Sequence, residues 1–181
     1  LLDAAGAGTA SLVGHSMGAG VAIEAAARLG ERVSAIALCG TAARMPVNDA
    51  LLQAGHSGDH MAIDMITEWG FDRRAQTGGS SMPGLWMTGA GIRLLERAPK
   101  GLIGVDLQAS NDYQGAVAAA GKLCCKVLFV AGDQDKMTPA KGLGPLIDLL
   151  QDHEIVVIPG CGHMMMVEYP GKTLDALRKV L

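Results

Sequence analysis

The sequence predicts an α/β fold built on a parallel sheet. Three observations point there. Short apolar runs of strand length alternate with segments of helical spacing, the pattern of strands joined by crossover helices. Of 181 residues, 49% are hydrophobic and 18% charged, enough apolar material for one core and too much for a disordered chain. Aromatic residues make up only 3%, so Ala, Leu and the ten methionines must fill that core.

The elements follow in order. Thr9–Gly14 (TASLVG) reads as a short apolar strand ending in a glycine turn. Ala19–Leu29 is Ala-rich and helical and stops at Gly30. Val33–Cys39 is a buried strand. Residues 40–125 carry no strand pattern. Within them Asp59–Trp69 has helical spacing at Met61, Met65 and Ile66, Thr77–Gly84 is a loop, and Leu85–Arg97 is helical again. Lys126–Val130 is a third strand. Thr138–Leu150 is expected to be a helix, with Thr138 as N-cap and Pro139 at its first position. Glu154–Ile158 is a fourth strand, and Lys172–Leu181 closes the chain as a helix, apolar at Leu174, Leu177 and Leu181. Residues 1–43 and 112–181 thus read as the core, and 44–111 as a helical insertion that caps it. Successive crossovers of one hand should lay the four strands side by side in sequence order.

Composition excludes several functions. Net charge is −3 with no long basic run, so nucleic acid is not an expected partner. No apolar stretch reaches the roughly 18 residues that cross a bilayer. Cys39, Cys124, Cys125 and Cys161 form no CxxC pair and no zinc spacing, and a bridge between adjacent cysteines would be strained. Reduced core thiols are expected, which suits a cytoplasmic location. His56 and His60 are four apart and could share a helix face, but they lack further ligands and Gly58 interrupts the helix; solvated or packing histidines are expected. No metal and no cofactor are expected.

The chemistry concentrates where the first strand runs into Gly14-His15-Ser16-Met17-Gly18 and then a helix. In this G-x-S-x-G pattern the serine sits on a tight, strained turn, so its neighbours two residues away should lack side chains. The turn lifts the hydroxyl above the sheet. Gly55-His56-Ser57 repeats the tripeptide but lacks both the closing glycine and a preceding strand. A serine nucleophile needs a base, and the base an orienting acid. His163, in Pro159-Gly160-Cys161-Gly162-His163, follows the last apolar strand and falls at the same sheet edge as Ser16; His153 precedes that strand, at the opposite edge. The acid is expected after the third strand, where Asp133 and Asp135 compete.

The segments GHSMGAG, GDQDKMTP and PGCGHMMMVEYP resemble the α/β-hydrolase superfamily, in particular its small carboxylesterases and enol-lactonases. The resemblance implies an α/β-hydrolase fold with the last four strands of the sheet and a helical cap. It implies a serine hydrolase that cleaves a small-molecule carboxylic ester or lactone through an acyl-enzyme, without a cofactor. It places the acid on Asp135, the second Asp of G-x-x-D-x-x-T-P, and makes Asp133 a turn residue. The roles implied are attack by Ser16, proton transfer by His163, orientation of His163 by Asp135, and an oxyanion-binding N–H at Met17. Glu168 is expected to make a structural hydrogen bond. Substrate contacts are expected from His15, Met61, Met65, Trp86 and Met164; Met82, Met87 and Trp69 would complete the apolar face of the cap, and Arg73 and Arg74 would be solvated. The alternatives are a C–C bond hydrolase or acyltransferase on the same triad, and a non-catalytic binder of small molecules. A dehalogenase of this fold would need an acid at position 16.

One departure stands out. Superfamily members carry about half their sheet before the nucleophile strand, with a loop that supplies a second oxyanion N–H. Here the nucleophile strand comes almost at once, so the chain resembles the C-terminal part of such an enzyme, with the N-terminal half of the sheet missing. The first strand is then expected at a sheet edge, and the isolated chain is expected to be a weak catalyst.

Overall fold

The computed structural model describes residues 1–80 and 82–180. Four strands form one sheet: β1 (Ala10–His15), β2 (Val33–Cys39), β3 (Lys126–Gly132) and β4 (His153–Ile158). They lie in the order β1-β2-β3-β4 and every neighbouring pair is parallel. One rung of the ladder aligns His15, Cys39, Val130 and Val156. Because the strands are parallel, the loops that follow them share one edge of the sheet. Among the described residues, β1 and β4 each pair on one side only.

Sequence explains the sheet's interior. β2 and β3 are near-continuous apolar runs, buried along almost their whole length, as parallel strands covered on both faces must be. Alternation then sorts their side chains. Ile36, Leu38, Val127 and Phe129 pack on one face, against Ile23 of α1 (Met17–Leu29), Ala119 of α7 (Ala116–Ala120) and Leu146 of α8 (Gly144–Ile147). Ala37, Cys39, Leu128 and Val130 pack on the other, against Met165 of α9 (Met165–Glu168) and Ala176 of α10 (Pro170–Leu177). The edge strands are thinner: Val13, Ile155 and Val157 remain exposed.

Between β2 and β3 the chain forms α2 (Asp49–Ser57), α3 (Met61–Gly70), α4 (Arg73–Gln76), α5 (Met87–Glu96) and α6 (Leu102–Asp112). Asn48 caps α2, its Oδ1 accepting the Ala50 N–H at 2.8 Å, and Asp72 caps α4 in the same way through Arg74. Leu51, Ala54, Ala62 and Ile66 form a separate small core for this cap, closed by Leu95, Ile103 and Leu107.

Several expectations change. The helix expected over Thr138–Leu150 is reduced to a 3-10 turn at Ala140–Leu143 and the four residues of α8; Gly142, Gly144 and Pro145 interrupt it. Thr138 caps nothing there, because its hydroxyl and N–H both turn to Asp135. The closing helix runs Pro170–Leu177, and Leu181 lies outside the described residues, as does Ser81 in the Thr77–Gly84 loop. Helices α2, α6 and α7 are additions to the expected elements. His56 and His60 share no helix face: α2 ends at Ser57, so His56 meets Gln108 while His60 bridges Asp64 and Glu96. Among the described residues no helix is long and apolar enough to cross a membrane, and no His/Cys/Asp/Glu group is arranged to hold a metal.

Phe129 lies at the centre of β3 with 1% exposure, whereas Leu94 on α5 is 72% exposed. Phe129→Ala is expected to lower the unfolding free energy by about 3–5 kcal/mol. Leu94→Ala should change it by no more than about 0.5 kcal/mol. Denaturant titration of both variants checks the pair of values.

Candidate active site

Ser16 occupies the single residue between β1 and α1. Its φ of 54° makes it the one non-glycine residue with positive φ among those described. Such a conformation costs about 1–3 kcal/mol and persists only where the surroundings hold it. Two hydrogen bonds do so. The Ser16 N–H extends the β1–β2 ladder to the Cys39 carbonyl at 2.9 Å, and the Ser16 carbonyl accepts the Ala19 N–H at 2.9 Å, starting α1.

The glycines on either side of Ser16 differ. A Cβ on Gly14 would come within 2.3 Å of the Gly18 carbonyl oxygen, so strand and helix can cross here only if residue 14 has no side chain. A Cβ on Gly18 would meet nothing within 4 Å. The expectation that both positions must be bare therefore holds for Gly14 alone: Gly18 lies against the strand with its carbonyl but has room for a side chain beside the cavity it lines.

His163 follows β4 on the loop 159–164 and is 1% exposed. Its Nδ1 lies 2.8 Å from Asp135 Oδ2. Asp135, on the loop after β3, is also buried, and both its oxygens are used. Oδ1 accepts the N–H groups of Met137 and Thr138, each at 2.8 Å, and Oδ2 accepts the Thr138 hydroxyl at 2.7 Å besides His163. Burial pushes the Asp135 carboxyl up, but the hydrogen bonds and charge of His163, with the two bonds from Thr138, outweigh it and hold the group below its ordinary value. An ionised Asp135 can only accept, so Nδ1 donates to it, and the imidazole form of that tautomer has its lone pair at Nε2. That Nε2 is buried and makes no hydrogen bond to any described residue, the Ser16 hydroxyl included. Serine–histidine pairs are often longer than hydrogen-bond distance until substrate arrives.

The competing residues sit elsewhere. Asp133 is exposed and its Oδ1 accepts the Gly160 N–H at 2.7 Å, which ties the end of β3 to the loop that leads to His163. His153 begins β4 at the opposite edge and meets the Leu150 carbonyl.

The His163 loop is also fastened to the cap. The Gly70 carbonyl at the end of α3 accepts the N–H of His163 at 2.8 Å and of Met164 at 3.1 Å. Glu168 Oε2 accepts the N–H of Gly162 at 3.1 Å and of Asp72 at 3.0 Å, one from the loop and one from the cap. Burial raises the Glu168 pKa despite those bonds. On the other side, His15 Nε2 lies 2.9 Å from the His163 carbonyl oxygen, which can only accept, so His15 is the donor. Burial, reinforced by the charge His163 can carry, lowers its pKa from 6.5 to about 4, against the opposing pull of that hydrogen bond. His15 is therefore neutral near pH 7.

A cavity of about 680 Å³ opens beside Ser16. His15, Met17 and Met164 line its core side, and Leu51, Ile66 and Trp69 are among the cap residues that line the other. Three expected contacts do not reach it. Met61 (48% exposed) lies on the outer side of α3, and Trp86 (66% exposed) precedes α5 and packs beside Gly89. Met65 is half-buried and packs against the cap's own core instead. α3 presents Ile66 and Trp69 to the cavity in place of Met61 and Met65. The lining from α2 and α6, notably Leu51 and Leu107, was missed with those helices; the four-residue spacing of Ile103 and Leu107 was the available signal. Four free thiols are present, two of them buried at Cys39 and Cys161.

Two measurements follow from this geometry. Gly14→Ala should destabilise the chain severely, because its methyl group would meet backbone, whereas Gly18→Ala should leave the melting temperature unchanged or slightly higher through helix propensity. Thermal melts of the two variants distinguish the positions. His15 gives a pH effect of definite sign. Its folded value of about 4 lies below the ordinary 6.5, so the unfolded chain binds the extra proton. The stability that neutral His15 contributes is fully present above about pH 6.5 and is lost as pH falls toward 4. The wild type's unfolding free energy relative to His15→Gln should therefore rise over that window, by at most about 3 kcal/mol, in denaturant melts at stepped pH.

Residues 1–176 match the model of an alpha/beta hydrolase family. Among solved structures, a thermophilic esterase is 29% identical with a TM-score of 0.76, the alignment covering 95% of this chain and 65% of that one. The enol-lactonase from Burkholderia xenovorans LB400 is 18% identical with a TM-score of 0.83, covering 98% of this chain and 68% of that one. An esterase from Exiguobacterium antarcticum is 19% identical with a TM-score of 0.83, again covering 98% and 68%. At such identities the last two share the fold. The chain thus spans about two thirds of the length of these structures. No curated protein matches it. With the family match running over residues 1–176 and the parallel sheet aligned to these hydrolases, the chain belongs to the alpha/beta hydrolase family.

Proposed function

We propose that the chain carries the nucleophile, base and acid of a serine hydrolase that cleaves small-molecule carboxylic esters or lactones. The observation that carries this reading is the buried Asp135–His163 pair, with its Nε2 unpartnered and with His163 and Ser16 lining the same cavity. The 29% identity to a thermophilic esterase supports the reaction class. Four free thiols fit a reducing compartment such as the cytoplasm.

The chemistry runs in two halves. Ser16 Oγ attacks the acyl carbon as His163 Nε2 takes the hydroxyl proton. Ionised Asp135 stabilises the imidazolium that forms. Charge developing on the carbonyl oxygen meets the N–H of Met17, the first residue of α1, whose N–H the helix itself leaves unused. The imidazolium then gives its proton to the departing alcohol, which in a lactone stays tethered to the acyl group. Water, deprotonated by His163, attacks the acyl-enzyme; the same proton returns to Ser16 and the acid is released. The apolar cap residues Ile66 and Trp69, with Met164 opposite, accommodate the acyl group and exclude bulk water.

Ser16→Ala removes the atom that is acylated but leaves Gly14 and the strand–helix crossing in place. It should lower kcat for a p-nitrophenyl ester by about a thousandfold or more, with an unchanged melting temperature, and abolish labelling by a fluorophosphonate. Asp135→Asn should lower kcat by about 10³–10⁴-fold, since an amide favours the wrong imidazole tautomer. A Ser16→Ala protein that keeps wild-type kcat would remove the covalent mechanism.

A further inference from the structure

We infer that His15 is a positioning residue, which ties the strand ending in Ser16 to the loop carrying His163 by donating its Nε2–H to the His163 carbonyl. The inference rests on the triad reading above and adds to it a fourth side chain that touches no reacting atom.

The three triad members come from three distant places in the sheet. Ser16 follows β1, Asp135 follows β3 and His163 follows β4. The bond between Asp135 and His163 orients the imidazole but says nothing about its distance from Ser16, three strands away. The Gly70 carbonyl and Glu168 hold the same loop, but to the cap rather than to the strand of the nucleophile. Among the described residues, the 2.9 Å bond from His15 is the one hydrogen bond that joins residues 14–18 to residues 159–164.

The rings around that bond have little freedom. His15 and His163 lie with centroids 4.6 Å apart, their planes at 48°. Gly40, just after β2, lies beside both and leaves them room only because it has no side chain. A Cβ there would come within 3.0 Å of the His163 ring and 3.4 Å of His15 Cδ2. The His15 backbone is itself in the sheet, paired with Cys39. A short, rigid lever thus runs from the ladder through the His15 ring to the His163 backbone, one residue from the nucleophile.

The type of donor matters as well. His163 becomes an imidazolium during the proposed reaction. A lysine or arginine in place of His15 would set a permanent positive charge against it and oppose its protonation. Neutral imidazole donates without that penalty. The charged or titratable groups that act on His15 are His163 and Asp135, and their influences have opposite signs.

Misplacing a reacting group by about 1 Å can cost about a hundredfold in rate. His15→Leu keeps bulk without a donor, and is expected to lower kcat on a p-nitrophenyl ester by about tenfold or more while KM changes less than about threefold. His15→Gln can place an amide N–H near the same carbonyl and should recover most of the loss. If the leucine variant does not fold, His15→Asn replaces it, since its shorter amide does not reach. A folded leucine or asparagine variant with wild-type kcat, or a glutamine variant no better than leucine, overturns the inference. A second readout needs no turnover: the solvent-exchange rate of the His163 Nδ1 proton, followed as a downfield NMR resonance. It should rise in His15→Leu and return in His15→Gln, and an unchanged rate in the leucine variant counts against positioning. Failure of the underlying hydrolase reading looks different, because wild-type protein would then resist fluorophosphonate at Ser16 while the NMR comparison still decides the role of His15.

Discussion

The buried pair of Asp135 and His163 is the constraint around which the rest of the site is arranged. An ionised carboxylate away from water is costly unless its lone pairs are filled. Asp135 fills them with two backbone N–H groups, one hydroxyl and one imidazole, all from residues 137, 138 and 163. This requirement accounts for features that otherwise look unrelated. Thr138 gives up a helix N-cap to serve the carboxylate. The chain after Asp135 curls back upon it at residues 137 and 138, and the helix beyond is short. The same pairing makes Nδ1 the donor and leaves Nε2 without a partner among the described residues.

The histidine loop is held from two further directions. Gly70 and Asp72 bind it to the cap, directly or through Glu168, and His15 binds it to the end of β1. The end of α3 and the His163 loop are therefore joined by hydrogen bonds. The cavity lies between cap and core, with Ile66 and Trp69 lining it from the cap and Ser16 and His163 from the core.

Strain at Ser16 has a different origin. The positive φ comes from forcing a strand into a helix within one residue, and it is sustained by the ladder bond to Cys39 and the first bond of α1. β1 pairs with β2 through the whole stretch that leads to Ser16, from Ser11 opposite Ala35 to His15 opposite Cys39.

Local chemistry made much of this legible beforehand. The buried strands announce themselves as apolar runs, the strand–turn–helix at Gly14–Gly18 follows from glycine spacing, and parallel order puts the loops after β1, β3 and β4 at one edge. Those features depend on neighbours a few residues apart, which a sequence displays directly. The choice of Asp135 over Asp133 came from resemblance, since spacing alone left both open; the coordinates place Asp135 on His163 and Asp133 on Gly160. By itself, then, the sequence determined the alternating elements, the strand–turn–helix around Ser16 and the edge at which His163 emerges. Only the tertiary structure decided that Ile66 and Trp69, rather than Met61, Met65 and Trp86, face the cavity, that Gly18 has room for a side chain, and that His15 reaches the His163 carbonyl. Each of these depends on how helices and loops far apart in the chain pack against one another, and such packing leaves no periodic trace in the sequence.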